Sequence, residues 1–211
     1  MSGKRLILPL MMDNNKRRYF QFFKYFKNKK VLDFGCGYGE LLTILKKKKI
    51  CKLAHGVEIR KEVSEHLNKN NITYYNDLKN IKIKYDVITL FHVLEHISNP
   101  IDILKQLKKN LKKNGKIIIE VPSCTDLLLR DNSLKKFRDF FMWSEHLIIY
   151  SENKLKKIIK KSGYKKIDIK FYQRYGLANH LGWLVHDRPV DNSFYKKFLN
   201  SKIEKNYKKI L

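Results

Sequence analysis

The fold is decided by the stretch Val31-Leu32-Asp33-Phe34-Gly35-Cys36-Gly37-Tyr38-Gly39-Glu40, in which a short apolar run ends in a carboxylate and three alternating glycines follow. The apolar run has the length and composition of a buried strand, and the residues after Gly39 have the spacing of a helix. Glycine permits both a tight turn and the close approach of a ligand to the backbone. The stretch therefore predicts a strand, a glycine loop and a helix that together hold a nucleotide-type ligand.

Strand-like apolar runs alternate with helical segments along the rest of the chain. Alternation of this kind predicts an α/β fold with a parallel sheet and crossover helices. The predicted strands cover residues 30–34, 52–58, 73–75, 85–91, 115–121 and 165–172, and the predicted helices include residues 40–48, 61–68 and 100–112. A seventh strand is either replaced by residues 182–186 or missing.

Three segments are expected along the 211 residues, which are enough for one well-buried domain but few for two. Residues 1–29 form an N-terminal helical segment, because aromatic side chains recur with near-helical spacing over residues 13–26. Residues 30–172 form the ligand-binding domain. Residues 173–211 form a C-terminal extension that closes with an amphipathic helix over residues 194–211.

Local signals support two of the helices. Asn99 is placed to cap a helix whose first residue is Pro100, and Leu111 falls on the apolar face of that helix. Ser151 similarly precedes a helix that Gly163 ends.

Two classes of nucleotide-type ligand compete for the glycine loop, and its spacing separates them. A dinucleotide fingerprint has the spacing GxGxxG and aims a helix N-terminus at a pyrophosphate, whereas this chain has GxGxG. Asp33 would repel a pyrophosphate but would attract the ammonium of a methionyl group. Glu58 ends the next apolar run, 19 positions after Gly39, where a carboxylate can accept hydrogen bonds from both hydroxyls of a ribose.

These motifs resemble those of the class I, Rossmann-like S-adenosylmethionine-dependent methyltransferases, and particularly the small-molecule branch of the ubiquinone-biosynthesis methyltransferases. The resemblance extends over residues 31–166 and includes the fourth-strand motif at residues 86–96. It implies a doubly wound, mostly parallel sheet with helices on both faces, and S-adenosyl-L-methionine as the cofactor. The cofactor-binding residues that it implies, together with the charge argument above, are Asp33, Gly35, Cys36, Gly37, Gly39, Glu58, Asp77, Phe91 and His92.

His146 is the candidate catalytic residue, because it follows the fifth predicted strand, where this fold places substrate-facing loops. An imidazole can take a proton from a hydroxyl as a methyl group arrives. A structural role is the alternative for His146. Glu95 and His96 either face the active site or anchor the junction between strand and helix. A further polar group either lines an acceptor pocket or caps loops, and its members are Tyr150, Tyr175, Asn179 and His180.

The net charge of +26 is the strongest bias in the composition. Such a charge suggests a polyanionic partner, but 38 of the 46 basic residues are lysines and only 8 are arginines. Arg is the residue that recognises phosphates and bases through paired hydrogen bonds. Because the lysines are spread along nearly every helix, in company with abundant Ile, Asn, Tyr and Phe, we interpret them as a coding bias towards A and T. We therefore expect a small-molecule or saccharide acceptor and no nucleic-acid partner.

The cysteines and the length of the apolar stretches indicate the cellular environment of the protein. Cys36, Cys51 and Cys124 have neither the even number nor the CxxC spacing of a disulfide framework or zinc site, so we expect reduced thiols and no metal. No stretch approaches the roughly 18 to 20 apolar residues of a membrane span, so we expect no membrane insertion and a cytoplasmic protein. The oligomeric state cannot be inferred.

The expected reaction is O-methylation of a small metabolite or a sugar-containing precursor, with N- and C-methylation as alternatives. Two alternatives stay open. One is a nucleic-acid methyltransferase, against which the sequence Phe91-His92-Val93-Leu94 stands where enzymes that methylate base amines commonly have Asn/Asp-Pro-Pro-aromatic. The other is a protein that binds S-adenosylmethionine without catalysis.

Overall fold

The computed structural model describes residues 14–142, 145–190, 195, 199 and 201–210. The chain forms two compact units, Met1–Val121 and Pro122–Leu211. The domain boundaries expected after residues 29 and 172 remain predictions. No helix within the described ranges is long and apolar enough to cross a membrane.

The first unit is built on a five-stranded sheet, whose strands are β1 (Lys30–Phe34), β2 (Leu53–Val57), β3 (Tyr74–Tyr75), β4 (Tyr85–Phe91) and β5 (Leu111–Glu120). The strand order is β3-β2-β1-β4-β5, and every neighbouring pair is parallel. The chain therefore builds outward from β1 in one direction, returns to the other side of β1 and continues with β4 and β5. This doubly wound parallel arrangement confirms the α/β fold predicted from the sequence.

The strands of the first unit are flanked by α1 (residues 14–21), α2 (Phe23–Phe26), α3 (Glu40–Lys47), α4 (Ser64–Lys69) and α5 (Pro100–Lys109). On one face of the sheet, Val31 packs in a cluster with Tyr19 of α1 and Leu41 of α3. Side chains alternate along a strand, so Leu32 and Ile88 point to the opposite face, and both are fully buried. Both faces of the sheet are therefore covered, as a parallel sheet requires.

The helix before β5 ends earlier than predicted. Pro100 occupies the first turn of α5 as expected, but the side chain of Asn99 makes no capping hydrogen bond. Leu111 pairs with Tyr85 in the sheet, and the N–H of Tyr85 donates to the carbonyl of Asn110 at 2.8 Å. The prediction that placed Leu111 on the helix was wrong, because the pairing with β4 draws the chain into the sheet at that point.

The second unit contains α6 (Lys135–Phe141), α7 (Glu152–Lys161), α8 (Leu177–His186) and α9 (Ser201–Ile210). Ser151 caps α7 as predicted, since its hydroxyl accepts a hydrogen bond from the N–H of Lys154 at 3.3 Å. The closing helix was expected from Phe194, which lies outside the described residues, as does Asp13 at the start of the first predicted helix.

One strand prediction in the second unit was wrong, and of the two alternatives for the seventh strand the described residues agree with its absence. Residues 165–172 form neither helix nor strand, although apolar and polar residues alternate there. Residues 182–186 belong to α8, in which a Cβ on Gly182 would lie 2.7 Å from the carbonyl oxygen of Arg188. A short apolar run fits a helix or a strand equally well. In the helix, Gly182 packs closely against the backbone of Arg188, which leaves no room for a side chain. The described part of the chain therefore has five strands, not six or seven.

Glu204 of α9 caps the start of α8. Its Oε2 accepts a hydrogen bond from the N–H of Leu177 and its Oε1 accepts one from the N–H of Ala178, each at 3.0 Å. A carboxylate at a helix N-terminus satisfies backbone donors that have no partner inside the helix and complements the helix dipole. Glu204 is only 7% exposed, so its carboxylate lies inside the second unit, where it shields these donors from water.

Replacement of Glu204 by Ala should therefore destabilise the protein by about 1–3 kcal/mol, because two buried N–H groups lose their acceptor. Glu204→Gln keeps one acceptor oxygen and should lose less. Urea unfolding followed by circular dichroism measures the difference. The control is Asp139→Ala, at an exposed acid on α6, where a change below about 0.5 kcal/mol is expected. A Glu204→Ala variant as stable as this control would contradict the capping role.

Candidate active site

The predicted site residues of the first unit meet at the carboxyl ends of the strands. β1 and β4 are neighbouring strands in the middle of the sheet. From β1 the chain adds β2 and β3 on one side, and it then adds β4 and β5 on the other side. In an open parallel sheet this edge leaves a crevice in which ligands bind. Asp33 and the glycine loop lie at the end of β1, Glu58 follows β2, and His92 follows β4.

The glycine loop needs glycine for its backbone conformation. Gly35, Gly37 and Gly39 have φ angles of 73°, 55° and 72°, a region that disfavours side chains. Gly35 is also tightly packed, since a Cβ there would lie 2.5 Å from Cγ2 of Val93. At Gly37 a Cβ would meet only Nη2 of Arg60, at 3.5 Å. The loop therefore presents accessible backbone at Gly37, where a ligand can approach.

Cys36 contributes packing to this loop. Its side chain is 7% exposed, and a Cβ on Gly56 would lie 2.4 Å from its Sγ. Burial raises the pKa of the Cys36 thiol well above its usual range. The side chain therefore belongs to the core, and any contact of Cys36 with a ligand would be made by its backbone.

Asp33 is a buried and poorly compensated acid. It is 5% exposed, and the hydroxyl of Thr89 donates a hydrogen bond to its Oδ1 at 2.6 Å. Burial raises the pKa of Asp33 to about 6; the Thr89 hydrogen bond and the charge of Arg18 oppose the rise, whereas Glu40 and Glu58 add to it. An acid in this environment gains more from a cationic ligand than an exposed acid would.

Glu58 is buried as well, but its carboxylate is fully hydrogen-bonded. Its Oε2 accepts from the N–H of Gly37 at 2.9 Å, so Glu58 braces the glycine loop. Its Oε1 accepts from the backbone N–H of Arg60 at 3.0 Å and from Nε at 3.1 Å, and Nη2 donates to Oε2 at 3.1 Å. Burial alone would raise the pKa of Glu58, but the hydrogen bonds from Arg60 and Gly37 lower it. The Arg60 side chain, 49% exposed, therefore covers both oxygens of this acid.

Two residues beside Glu58 and β3 frame the same edge. Ile59 directly follows Glu58 and is 76% exposed, so it offers an apolar surface beside the acid. Ile59 was not predicted as a site residue, although an apolar residue directly after an acid at a strand end is a recognisable sequence pattern. Asp77 is exposed and caps a turn, because its Oδ1 accepts from the N–H of Lys79 at 2.9 Å. The predicted contact of Asp77 with adenine remains a prediction.

An ion cluster at the ends of β4 and β5 was not predicted from the sequence. Arg17 Nη2 donates to Oε2 of Glu120 at 2.6 Å, and Arg18 Nη2 donates to its Oε1 at 2.7 Å. The Arg18 guanidinium lies over the Phe91 ring, 4.5 Å from its centroid. Burial alone would raise the pKa of Glu120, but the His92 hydrogen bond and the two arginines hold it well below its usual range. No local motif joins these residues, because Arg17 and Glu120 are 103 positions apart.

Phe91 and His92 occupy the end of β4 in different ways. The Phe91 ring is 9% exposed and stacks on Phe22 at 5.8 Å, so only its backbone is available to a ligand. His92 has a φ of 57°, a strained conformation for a residue with a side chain. Its Nδ1 lies 3.1 Å from Oε1 of Glu95, and its Nε2 lies 3.3 Å from Oε1 of Glu120. Glu95 is fully buried and therefore anchors the turn after β4, which is the structural alternative considered for it.

The remaining candidates belong to the second unit. The Nδ1–H of His146 donates to the carbonyl of Phe141 at 2.7 Å, which orients the ring; its catalytic role remains a prediction. Tyr150 is 2% exposed and its backbone bridges to Ser123. His180 is 1% exposed and lies in hydrogen-bond contact with other side chains of the unit. Tyr150 and His180 are therefore held inside the second unit, and their proposed place in an acceptor pocket remains a prediction.

The edge of the first unit fits S-adenosylmethionine. Asp33 is an acid whose burial favours a cation, Glu58 offers two carboxylate oxygens, and the backbone at Gly37 is accessible between them. A pyrophosphate in the same place would face the acids Asp33, Glu40 and Glu58, and the charges of Glu40 and Glu58 already raise the pKa of Asp33. The donor set therefore agrees with a methionyl and ribose ligand and disfavours a dinucleotide.

Comparison with known proteins agrees with this geometry. Residues 11–169 match the family described as "Methyltransferase domain". A SAM-dependent methyltransferase from Archaeoglobus fulgidus superposes with a TM-score of 0.65 over 94% of this chain and 85% of that protein. Its identity of 21% limits this likeness to the fold.

Two curated relatives show what kinds of proteins share the sequence. The tRNA U34 carboxymethyltransferase of Campylobacter fetus subsp. fetus is 32% identical over 52% of this chain and 44% of the relative. The ubiquinone biosynthesis O-methyltransferase of Glaesserella parasuis serovar 5 is 34% identical over 43% of this chain and 44% of the relative. This chain thus spans less than half the length of each of these relatives.

One expectation from the sequence is contradicted by these relatives. We expected a small-molecule or saccharide acceptor and no nucleic-acid partner, yet tRNA U34 carboxymethyltransferases recur among the similar proteins. The error was to treat the lysine excess as a coding bias alone. A lysine surface attracts phosphates whatever the origin of its codons.

The fold and the family agree with the interpretation of the glycine loop. The predicted class I, Rossmann-like fold of S-adenosylmethionine-dependent methyltransferases is confirmed, and so is S-adenosylmethionine as the cofactor of this domain type. Because the match covers most of its length, the chain belongs to the methyltransferase domain family.

Proposed function

We propose that this chain transfers a methyl group from S-adenosylmethionine to RNA, with tRNA as the substrate class. The observation that carries the RNA assignment is the similarity to tRNA U34 carboxymethyltransferases. The net charge of +26 supports it, because binding to a phosphate backbone is dominated by lysine and arginine. The acids and the glycine loop of the first unit support the cofactor half of the proposal.

Each residue at the edge of the first unit has a role in this proposal. When bound, S-adenosylmethionine supplies a methyl group that its sulfonium activates for transfer. Asp33 would pair with the methionyl ammonium, because the Thr89 hydrogen bond and the charge of Arg18 oppose only part of the effect of its burial. Glu58 accepts hydrogen bonds from the ribose hydroxyls. Ile59 covers one face of the adenine, and Asp77 accepts from its amino group. These residues bind and orient the donor, which is most of what the protein must do.

Incubation of the purified chain with labelled S-adenosylmethionine and total tRNA should transfer label to material that ribonuclease degrades. Asp33→Ala, which removes the predicted ammonium partner, should abolish the transfer. Mass spectrometry of the released nucleosides identifies which nucleoside carries the transferred methyl group. A parallel incubation replaces the tRNA with a cell extract. If label then appears only in small molecules that ribonuclease does not degrade, and none appears in tRNA, the RNA assignment is contradicted.

Asp33→Asn should affect stability and ligand binding in opposite directions. Because the folded-state pKa of Asp33 is raised to about 6, the folded protein holds the proton more tightly than the unfolded chain does. The stability contributed by Asp33 is therefore full below the unfolded pKa near ~4 and is lost as pH rises through about 6. The Asn variant should be more stable at pH 7.5 by up to about 3 kcal/mol, but should bind S-adenosylhomocysteine at least about tenfold more weakly.

Two measurements test this prediction. Calorimetry should show that the wild type binds S-adenosylhomocysteine more weakly as pH falls below about 6, and that the Asn variant loses this dependence. The control is Asp86→Asn near the start of β4, where the carboxylate accepts hydrogen bonds from the N–H of Lys30 and from Lys112, both at 2.8 Å. This control should lose stability and keep ligand affinity. Unchanged ligand affinity in Asp33→Asn would remove Asp33 from the site.

Arg60→Ala should tighten the binding of S-adenosylhomocysteine by about two- to fivefold. Arg60 donates to both oxygens of Glu58, so the ribose hydroxyls must compete with Arg60 for this carboxylate. An ion pair with a half-exposed arginine contributes up to about 1 kcal/mol, which sets the size of the expected gain in affinity. Lys61→Ala removes the same charge from an adjacent exposed side chain and should leave the affinity unchanged. Weaker binding by Arg60→Ala would mean instead that Arg60 contacts the ligand.

A further inference from the structure

A basic groove lies in the first unit, near the end of the sheet opposite the candidate active site. Its volume is about 680 Å³, and residues from α2, the following turn and the start of β5 line it. The active-site edge is formed by the carboxyl ends of the strands, whereas Asp86, which lines the groove, is the second residue of β4. Asp86 and Phe91 are five residues apart, which separates the groove from the site by roughly 17 Å along the strand.

The charge of this groove is one-sided. The lysines that line it are Lys24, Lys29, Lys112, Lys113 and Lys116, and all five are exposed. Asp86 is the acid among the lining residues, and it is already engaged by Lys112 at 2.8 Å and by the N–H of Lys30 at 2.8 Å. The other lysines therefore give the groove a positive potential that its own acid does not neutralise.

One aromatic side chain is part of the same surface. Tyr25 lines the groove, with Nζ of Lys24 5.1 Å from its ring centroid and Nζ of Lys116 6.0 Å from it. The ring also packs against the core cluster of the first unit, which fixes its position. The groove thus has a packed aromatic wall with exposed lysine ammonium groups around it. A chain of phosphates can be held this way without base-specific contacts.

We propose that this groove binds the phosphate backbone of the RNA substrate, at a distance from the nucleotide that is modified. The proposal rests on the proposed function, because it assumes an RNA substrate. Lysine suits this task, since an ammonium acts as a point charge on phosphate and does not require the paired geometry of a guanidinium. The lysines come from two segments that are far apart in sequence, residues 24–29 and 112–116, so the groove exists only in the folded protein. A substrate that reaches both the groove and the active site must be larger than a nucleotide.

The test compares two triple variants in the RNA methylation assay. Lys24, Lys113 and Lys116 are each replaced by Gln in the groove variant. The control replaces Lys47, Lys79 and Lys82, which are also exposed lysines of the first unit but do not line the groove. Both variants lose three charges, so a difference between them reports position and not net charge. Lys112 is left in place because it holds Asp86.

The groove variant should raise KM for tRNA by about tenfold or more with kcat nearly unchanged, because the groove lies away from the transferred group. The slope of log K for tRNA binding against log salt should fall by about two, as expected for the loss of three phosphate contacts. Binding of S-adenosylhomocysteine should stay as in the wild type. The control variant should change KM and the salt slope much less.

The outcomes separate this proposal from the proposed function. If the wild type modifies tRNA and the groove variant behaves like the control, the groove proposal is wrong and the function stands. If the wild type modifies no RNA, the proposed function itself fails. A groove variant that loses kcat and S-adenosylhomocysteine binding together would place the lysines in the folding of the unit and would also overturn the proposal.

Discussion

The carboxylate of Asp33 is the group around which the first unit is organised. It is buried at the carboxyl end of β1, where Asp33 pairs with Thr89 of β4 and the Thr89 hydroxyl donates to the carboxylate. Glu40 and Glu58 add their charges to the effect of burial, and together these raise the pKa of Asp33 to about 6. Hydrophobic packing alone would favour an uncharged side chain in this position. The site therefore holds unfavourable electrostatic free energy, which a cation placed beside Asp33 would relieve.

Glu58 shows the contrasting case at the next strand. Its burial is compensated by the N–H of Gly37 and by Arg60, so its pKa is lowered and not raised. Asp33 and Glu58 are therefore in opposite electrostatic states. Glu58 braces the glycine loop through a hydrogen bond that does not depend on a ligand, whereas the charge of Asp33 is poorly compensated and is, in the proposed function, the partner of the methionyl ammonium.

A feature of the site could be predicted from the sequence when its residues lie close together along the chain, and not when they are far apart. The glycine loop, Asp33 and Glu58 were readable because they lie within 26 residues and each has a local reason for its residue type. The contact of Arg17 with Glu120 was not readable, because it joins α1 to the end of β5 over 103 positions. Residues 165–172 are a case in which a local pattern predicted too much. Their alternation of apolar and polar residues is typical of a strand, but a strand also needs the free edge of another strand to pair with, and the local sequence does not specify one.

The charge of the chain illustrates why composition could not name the partner. A coding bias explains how many lysines a chain contains, and it predicts nothing about where folding brings them. Around the groove beside Asp86, lysines from two distant segments face one another, although like charges repel and spreading them would cost less. A fold tolerates such convergence most easily when counter-charges occupy the space, and phosphates are counter-charges of the right sign and spacing. The number of lysines was therefore ambiguous evidence, whereas their convergence on one surface favours a polyanion.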